Sequence, residues 1–274
     1  MNLAVAILIV AGAATAGVAA MLLVRRHAPD GSYFHDGDRA AGVFGVLATG
    51  FAVLIGFVVF LAFTSYDSAR SGAQAEAYIV SQQVETAQLM PADVRDDLTA
   101  ELVCYARSVA GVQWTKMQDG SLGETLNPWA VKLFATLKTV QPETPAEQAA
   151  YTKWLDERSA RDEARNDRVH GAIGVIPRPL WYVLFFSAGV IFLYMLLFAD
   201  SGERAFVQAV MMGTVVAVIV SLLLLLQFLD NPFHKGVGGL RPTAMERTLR
   251  VIDQELTPEQ RTAPLPCDAQ GRAR

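Results

Sequence analysis

From Ala41 to Tyr66 the chain reads AGVFGVLATGFAVLIGFVVFLAFTSY, 26 residues without one charged side chain. The hydrocarbon core of a bilayer is ~30 Å thick and a helix rises about 1.5 Å per residue, so about 20 apolar residues are enough to cross it. Three more charge-free runs of that length lie at 2–24, 180–199 and 205–229. To bury four such helices in a soluble core, other elements would have to surround each of them, and the remaining polar segments are too short for that. The sequence therefore predicts an all-α integral membrane protein. It has four transmembrane helices and a helical extramembrane domain inserted between the second and third spans. The hydrophobic share of 52% agrees with this reading.

The first run is not read as a cleaved leader. It has no basic residues ahead of it, its apolar stretch is too long, and Arg25-Arg26 follow at once. The organisation that follows is 1–66 for the first two spans, 67–179 for the extramembrane domain and 180–229 for the last two spans. A tail at 230–274 holds one helix near 244–256 and is expected to be disordered from Thr257 onward. Four spans put the start of the first span, the 67–179 domain and the tail on one side of the membrane. Arg25 and Arg26 favour the cytoplasm for the loop that follows them, and hence the outside for the domain.

Within the domain, Ala73, Ala77, Val80, Val84 and Ala87 alternate steps of four and three and draw one apolar stripe on a helix that continues the second span. Pro91 starts a second helix with the stripe Val94, Leu98, Leu102, Tyr105, Val109 and Val112, predicted to pack antiparallel to the first. Gly120 and Gly123 are expected to end this pair. Asn127 caps a short helix through about Lys138, and Thr144-Pro145-Ala146-Glu147 is a capping box. The helix behind it becomes charge-laced over 156–168, which reads as a solvated face with a Glu157–Arg161 pair. Thr243-Ala244-Met245-Glu246 is a second capping box. Cys104 is expected as a small buried residue and Cys267 as a free thiol in the tail, with pairing of the two left open.

The net charge of −4, with 16 acidic against 12 basic residues in 65–179, points away from nucleic acid. The motifs of hydrolases, phosphate-binding loops and zinc sites do not occur, so no enzymatic activity, cofactor or metal is expected. No span carries a carboxylate or a base, and none contains proline, which argues against an ion-coupled transporter.

What remains are packing and pore candidates. Ala48, Ala52 and Gly56 on the second span and Gly213, Ala217 and Ser221 on the fourth recur at steps of four; Gly12, Ala16 and Ala20 do so on the first. Such stripes let helices approach closely, either within one bundle or between subunits. Phe57, Phe60 and Phe63 sit near the end of the second span, facing lipid and neighbouring helices or, in an oligomer, forming an apolar constriction. Asp230 beside the last turn of the fourth span is electrostatically unfavourable unless compensated, for which Lys235 or Arg241 are candidates.

Glu76-Ala77, Leu89-Met90-Pro91, Tyr105 with Trp114, and Leu229-Asp230-Asn231-Pro232-Phe233 with Gly236 together resemble the bacterial bestrophin-like domain family, over roughly 41–252. The resemblance implies an oligomeric four-span protein of the plasma membrane that passes small ions. Bestrophins line their neck with bulky apolar residues one helical turn apart on the second span. Here the series reads Gly56, Phe60, Thr64, which departs from three bulky rings. No acidic cluster has the spacing of a calcium loop. Resemblance also implies the extramembrane domain on the side opposite to the one the arginines favour. Two functions follow: a homo-oligomeric channel in the lipid bilayer, or a non-conducting membrane scaffold whose helical domain binds a partner.

Overall fold

The structure, a computed structural model, describes residues 3–121 and 126–274. Asn2 of the first run and the expected stop at Gly123 lie outside the described residues. The described chain is helical, with ten α-helices and no strand. Four helices are long and apolar enough to cross a membrane: α1 (Leu3–Arg25), α2 (Gly37–Ala87), α7 (Arg178–Leu197) and α8 (Ala205–Leu229). The first, third and fourth match the apolar runs to within two residues at each end. Helix α2 starts earlier, where the Asp36 carboxylate accepts from the Arg39 amide at 3.0 Å, and continues for 51 residues. Nothing after Tyr66 breaks it, since Gly72 is the one strong helix-weakening residue before Ala87.

The chain divides into two compact units. The first comprises Met1–Ser65, Gly174–Asp230 and Gly236–Gly238; the second comprises Tyr66–Ile173, Asn231–Lys235 and Gly239–Arg274. In the first unit α1 lies against α8 through glycines. A side chain on Gly17 would meet Val216 at 2.9 Å, and one on Gly213 would meet Val18 at 3.3 Å. Small residues thus bring the two backbones together where lipid offers no hydrophobic drive for association. Toward the α1 N-terminus the pair separates and leaves an apolar groove of about 710 Å³, which Ala217 and Ser221 help to line.

The second unit contains the C-terminal half of α2, α3 (Ala92–Ser108), a π-helical turn (Val109–Gln113), α4 (Trp114–Gln118), α5 (Pro128–Leu137), α6 (Pro145–His170), α9 (Thr243–Glu255) and α10 (Pro258–Thr262). Its core joins Ala77, Val80, Val84 and Ala87 of α2 to Val94, Leu98, Leu102 and Tyr105 of α3, the two stripes expected from the sequence. Gln88 bonds Thr99 near the turn and Tyr105 bonds Glu76 farther away, so the helices run antiparallel. Asn127 caps α5 and Thr144–Glu147 close the expected capping box on α6. The second box does not form: Pro242 occupies the cap position of α9 and Thr243 is already helical. A proline ahead of the first turn fixes the entry angle without any side-chain acceptor.

Candidate functional site

On the membrane-spanning part of α2, the three phenylalanines stand on the outer surface, with Phe57 and Phe60 61% exposed and Phe63 53%. The face opposite them, Phe51, Ile55, Val58 and Ala62, is buried within the unit. Ala52 and Gly56 share the exposed face, Ala48 is half-buried, and a side chain added at Gly56 would meet nothing within 4 Å. The exposed strip runs Thr49, Val53, Gly56, Phe60, all within one face at 3.6 residues per turn. Beyond Ser65 the helix goes on exposing Asp67, Ser71, Gln74 and Tyr78. On the first span Gly12 is likewise open, and the helix contact falls instead on Gly17.

Asp230 ends α8. Its carboxylate is buried and accepts a hydrogen bond from the Ile176 backbone amide at 3.0 Å. Neither Lys235 nor Arg241 is its partner in this structure: Lys235 pairs with Asp119 at 3.0 Å. A backbone N–H compensates the carboxylate next to the helix C-terminus, and Gly174 makes room for it, since a side chain there would meet Asp230 Oδ2 at 2.9 Å.

Five residues of the second unit that carry the family resemblance converge on two adjoining clusters. Glu76 and Arg168 are fully buried and form a two-pronged ion pair, Arg168 Nε to Glu76 Oε2 and Nη2 to Oε1. The Tyr105 hydroxyl donates to Glu76 Oε1 at 2.6 Å, and Arg168 also reaches Gln113 Oε1 at 3.2 Å and Met117 Sδ at 3.2 Å. Met117 is shared with the second cluster, in which Trp114 and Phe233 meet edge-on at 5.1 Å beside Ala69. Trp114 Nε1 donates to the Leu240 carbonyl, and the Leu240 amide donates back to Pro232. The segment after α8 is thereby fastened. Pro91 supplies the start of α3.

Charge in this interior is held by matched partners. Burial pushes the Tyr105 phenol far above its ordinary range, with the Glu76 carboxylate adding to the effect. For Arg168, burial favours the neutral form, but the Glu76 charge outweighs it and raises the guanidinium above its usual value. Burial also raises Glu101, against Thr136 and Lys132, and Glu157, against Thr86 and Lys153.

The solvated face expected over 156–168 is a buried one. Trp154, Glu157, Arg161, Ala164 and Arg168 all lie in the interior along one stripe of α6. No Glu157–Arg161 pair forms: Glu157 takes Thr86 and Lys153, while Arg161 reaches Gln83 at 2.8 Å and stacks over Tyr105. Helices α2 and α6 run antiparallel, from Thr86–Glu157 through Gln83–Arg161 to Glu76–Arg168. Gly72 permits this approach, because a side chain there would lie 2.7 Å from the Ala164 carbonyl oxygen. The steps of three and four from Ala150 to Arg168 were the available signal, with arginine occupying core positions of the heptad.

The tail is likewise ordered. Cys104 and Cys267, both fully buried, are joined by a disulfide, so Cys267 is not free. Thr257 and Gln260 cap α10, and Trp129 Nε1 donates to the Gly271 carbonyl at 2.6 Å. Gly271 has φ +76°, and an added side chain would overlap Ser108 at 2.1 Å, while Gly111 of the π-turn lies against Gln270. A polar, proline-rich segment needs such anchors to offset the entropy of ordering it.

Four apolar helices, and a helical extramembrane unit with a buried polar hub in its own interior, define the class: a multi-pass α-helical membrane protein. The chain belongs to the Bestrophin-like family, whose Bestrophin-like domain matches residues 9–245. In fold it is similar to a bacterial Bestrophin homolog from Klebsiella pneumoniae solved by Zn-SAD phasing, with 12% identity, a TM-score of 0.67, and 88% of this chain and 96% of that one covered. A point mutant of the Klebsiella pneumoniae homolog gives 11% identity and a TM-score of 0.68, covering 89% and 98%. None of the curated proteins matches the chain.

Proposed function

We propose that the protein is the subunit of a homo-oligomeric ion channel in the plasma membrane, with the exposed face of α2 around Phe60 lining the path. One observation carries this reading: Gly17 of α1 and Gly213 of α8 are used within the subunit, whereas Ala52 and Gly56 of α2 face outward, with open space beside Gly56. Small residues of this kind suit close helix contact in lipid, and a second copy of α2 supplies that contact. Copies arranged about an axis bring their Phe60 rings together as an apolar constriction, with hydroxyls from Thr49 and Thr64 on either side. The charge-free spans fit passive conduction rather than ion-coupled transport. Family membership supports the same reading, and the Gly56–Phe60–Thr64 series makes it a constriction of one ring rather than three.

Reconstitution into planar bilayers tests it. The expected result is unitary currents from a purified oligomer, with Phe60→Ala raising unitary conductance by widening the constriction. A monodisperse, well-folded protein that stays silent, or one that is monomeric in mild detergent, overturns the proposal and favours the non-conducting scaffold.

A further inference from the structure

We infer that Cys104 and Cys267 form a reversible thiol–disulfide pair, whose bridged form latches the tail onto α3 and whose reduced form lets it go. The chain has two cysteines, 163 residues apart, and both enter this one bridge. Within 257–274 only Cys267 and Gly271 are buried, and neither brings a large apolar side chain; Leu265 is half-buried against the core. The other anchors are single hydrogen bonds. Trp129 donates to the Gly271 carbonyl, Arg107 to that of Asp268, and Gln260 to Asp96 and Gln88. Such bonds offset little of the entropy lost in ordering a polar segment. The bridge is therefore the tail's main hold.

The docked tail lies on the π-helical turn. Gly271 fits a slot at the Ser108 amide that admits no side chain, and the Gln270 carbonyl oxygen is 3.0 Å from where a side chain on Gly111 would begin. Gln113, the last residue of that turn, accepts from Arg168 of the buried hub at 3.2 Å. Release of the tail thus uncovers a turn that reaches the hub. The chemistry is exchange with a dithiol reductant. Its thiolate attacks Cys267 Sγ, the bond to Cys104 breaks, and Cys104 leaves as a thiolate and takes up a proton. The reductant's second thiol then displaces Cys267. Two electrons and two protons have passed to the cysteines, and the reductant departs as a disulfide. Run against a disulfide oxidant, the same steps remake the latch. The inference is independent of ion conduction.

Limited proteolysis of the full-length protein in mild detergent tests it. Trypsin cuts after the exposed Arg261 and Arg272, and the products are weighed after complete reduction and alkylation. Prior treatment of the native protein with dithiothreitol is expected to speed both cuts by roughly 30-fold or more. Removing the reductant and adding oxidised glutathione is expected to restore the slow rate. Cys267→Ser is expected to be cut at the fast rate with or without dithiothreitol, which separates loss of the bridge from other effects of the reagent. Equal rates in the bridged and reduced wild-type protein overturn the inference. So does a bridge that survives dithiothreitol in the native protein yet is reduced at once after denaturation, because it is then a fixed structural bond.

Discussion

Arg168→Met removes the guanidinium from a site where its partner cannot reach water. Glu76 is completely buried, and without Arg168 its remaining described side-chain donor is the Tyr105 hydroxyl. Gln113 loses its donor in the same step. Breaking a buried, two-pronged ion pair from one side costs about 3–5 kcal/mol, because a carboxylate is left in a low-dielectric interior. Methionine fills most of the arginine stem's volume, so the loss reads charge rather than packing. For a unit of this size a 4 kcal/mol loss corresponds to roughly 8–16 °C in the midpoint of unfolding. The assay is thermal unfolding of full-length protein in mild detergent, followed by the near-ultraviolet signal of Trp114, whose neighbour Met117 touches the ion pair. The double variant Glu76→Gln with Arg168→Met is expected to recover part of the loss, since no uncompensated charge remains. A single variant that costs less than about 1 kcal/mol would behave as a surface salt bridge does and refute the hub.

Gly72→Ala forces α2 and α6 apart against backbone atoms of Ala164 and Arg168, at an expected cost of about 1–3 kcal/mol in the same thermal assay; an unchanged midpoint sinks the close approach. Asp230→Ala leaves the Ile176 amide without its acceptor and costs about 1–3 kcal/mol, whereas Asp230→Asn keeps the acceptor and changes little. Equal effects of the two variants on detergent stability would mean that the charge, not the cap, matters. Glu101 and Glu157 have folded-state values above the ordinary 4.5, so their contribution favours folding below that pH and is lost as pH rises through the raised values. Glu101→Gln with Glu157→Gln is therefore expected to flatten the decline of stability above about pH 4.5, and a decline as steep as in the parent contradicts the burial argument.

The spans were legible because lipid imposes one requirement, length without charge, and 205–229 reappears unchanged as α8. The stripes of α2 and α3 were legible for a related reason, since apolar residues recur at the helical period. Arg161 and Arg168 were hidden because a buried arginine looks in sequence like a solvated one; only its matched acceptors, Gln83 and Glu76, some 80 and 90 residues away, show the difference. The partner of Asp230 was invisible for another reason: it is a backbone amide, which no side-chain pattern announces. The disulfide depends on where the tail docks, which is settled by glycine slots and single hydrogen bonds rather than by periodicity.

The π-helical turn at Val109–Gln113 sets the angular phase of everything after it. It holds one residue more than an α-helical turn, and each residue turns a helix by about 100°. Ahead of it, Leu98, Leu102 and Tyr105 look into the core; at its last residue Gln113 looks at Arg168, and behind it Met117 looks at Arg168 and Trp114 at Phe233. Deleting Ala110 would restore a plain α-helix and swing the Trp114 ring and the Met117 sulfur about a quarter-turn away from those partners, with every side chain in the hub chemically intact. The turn works as a gear with one added tooth, keeping two clusters in step that a regular helix would put out of phase.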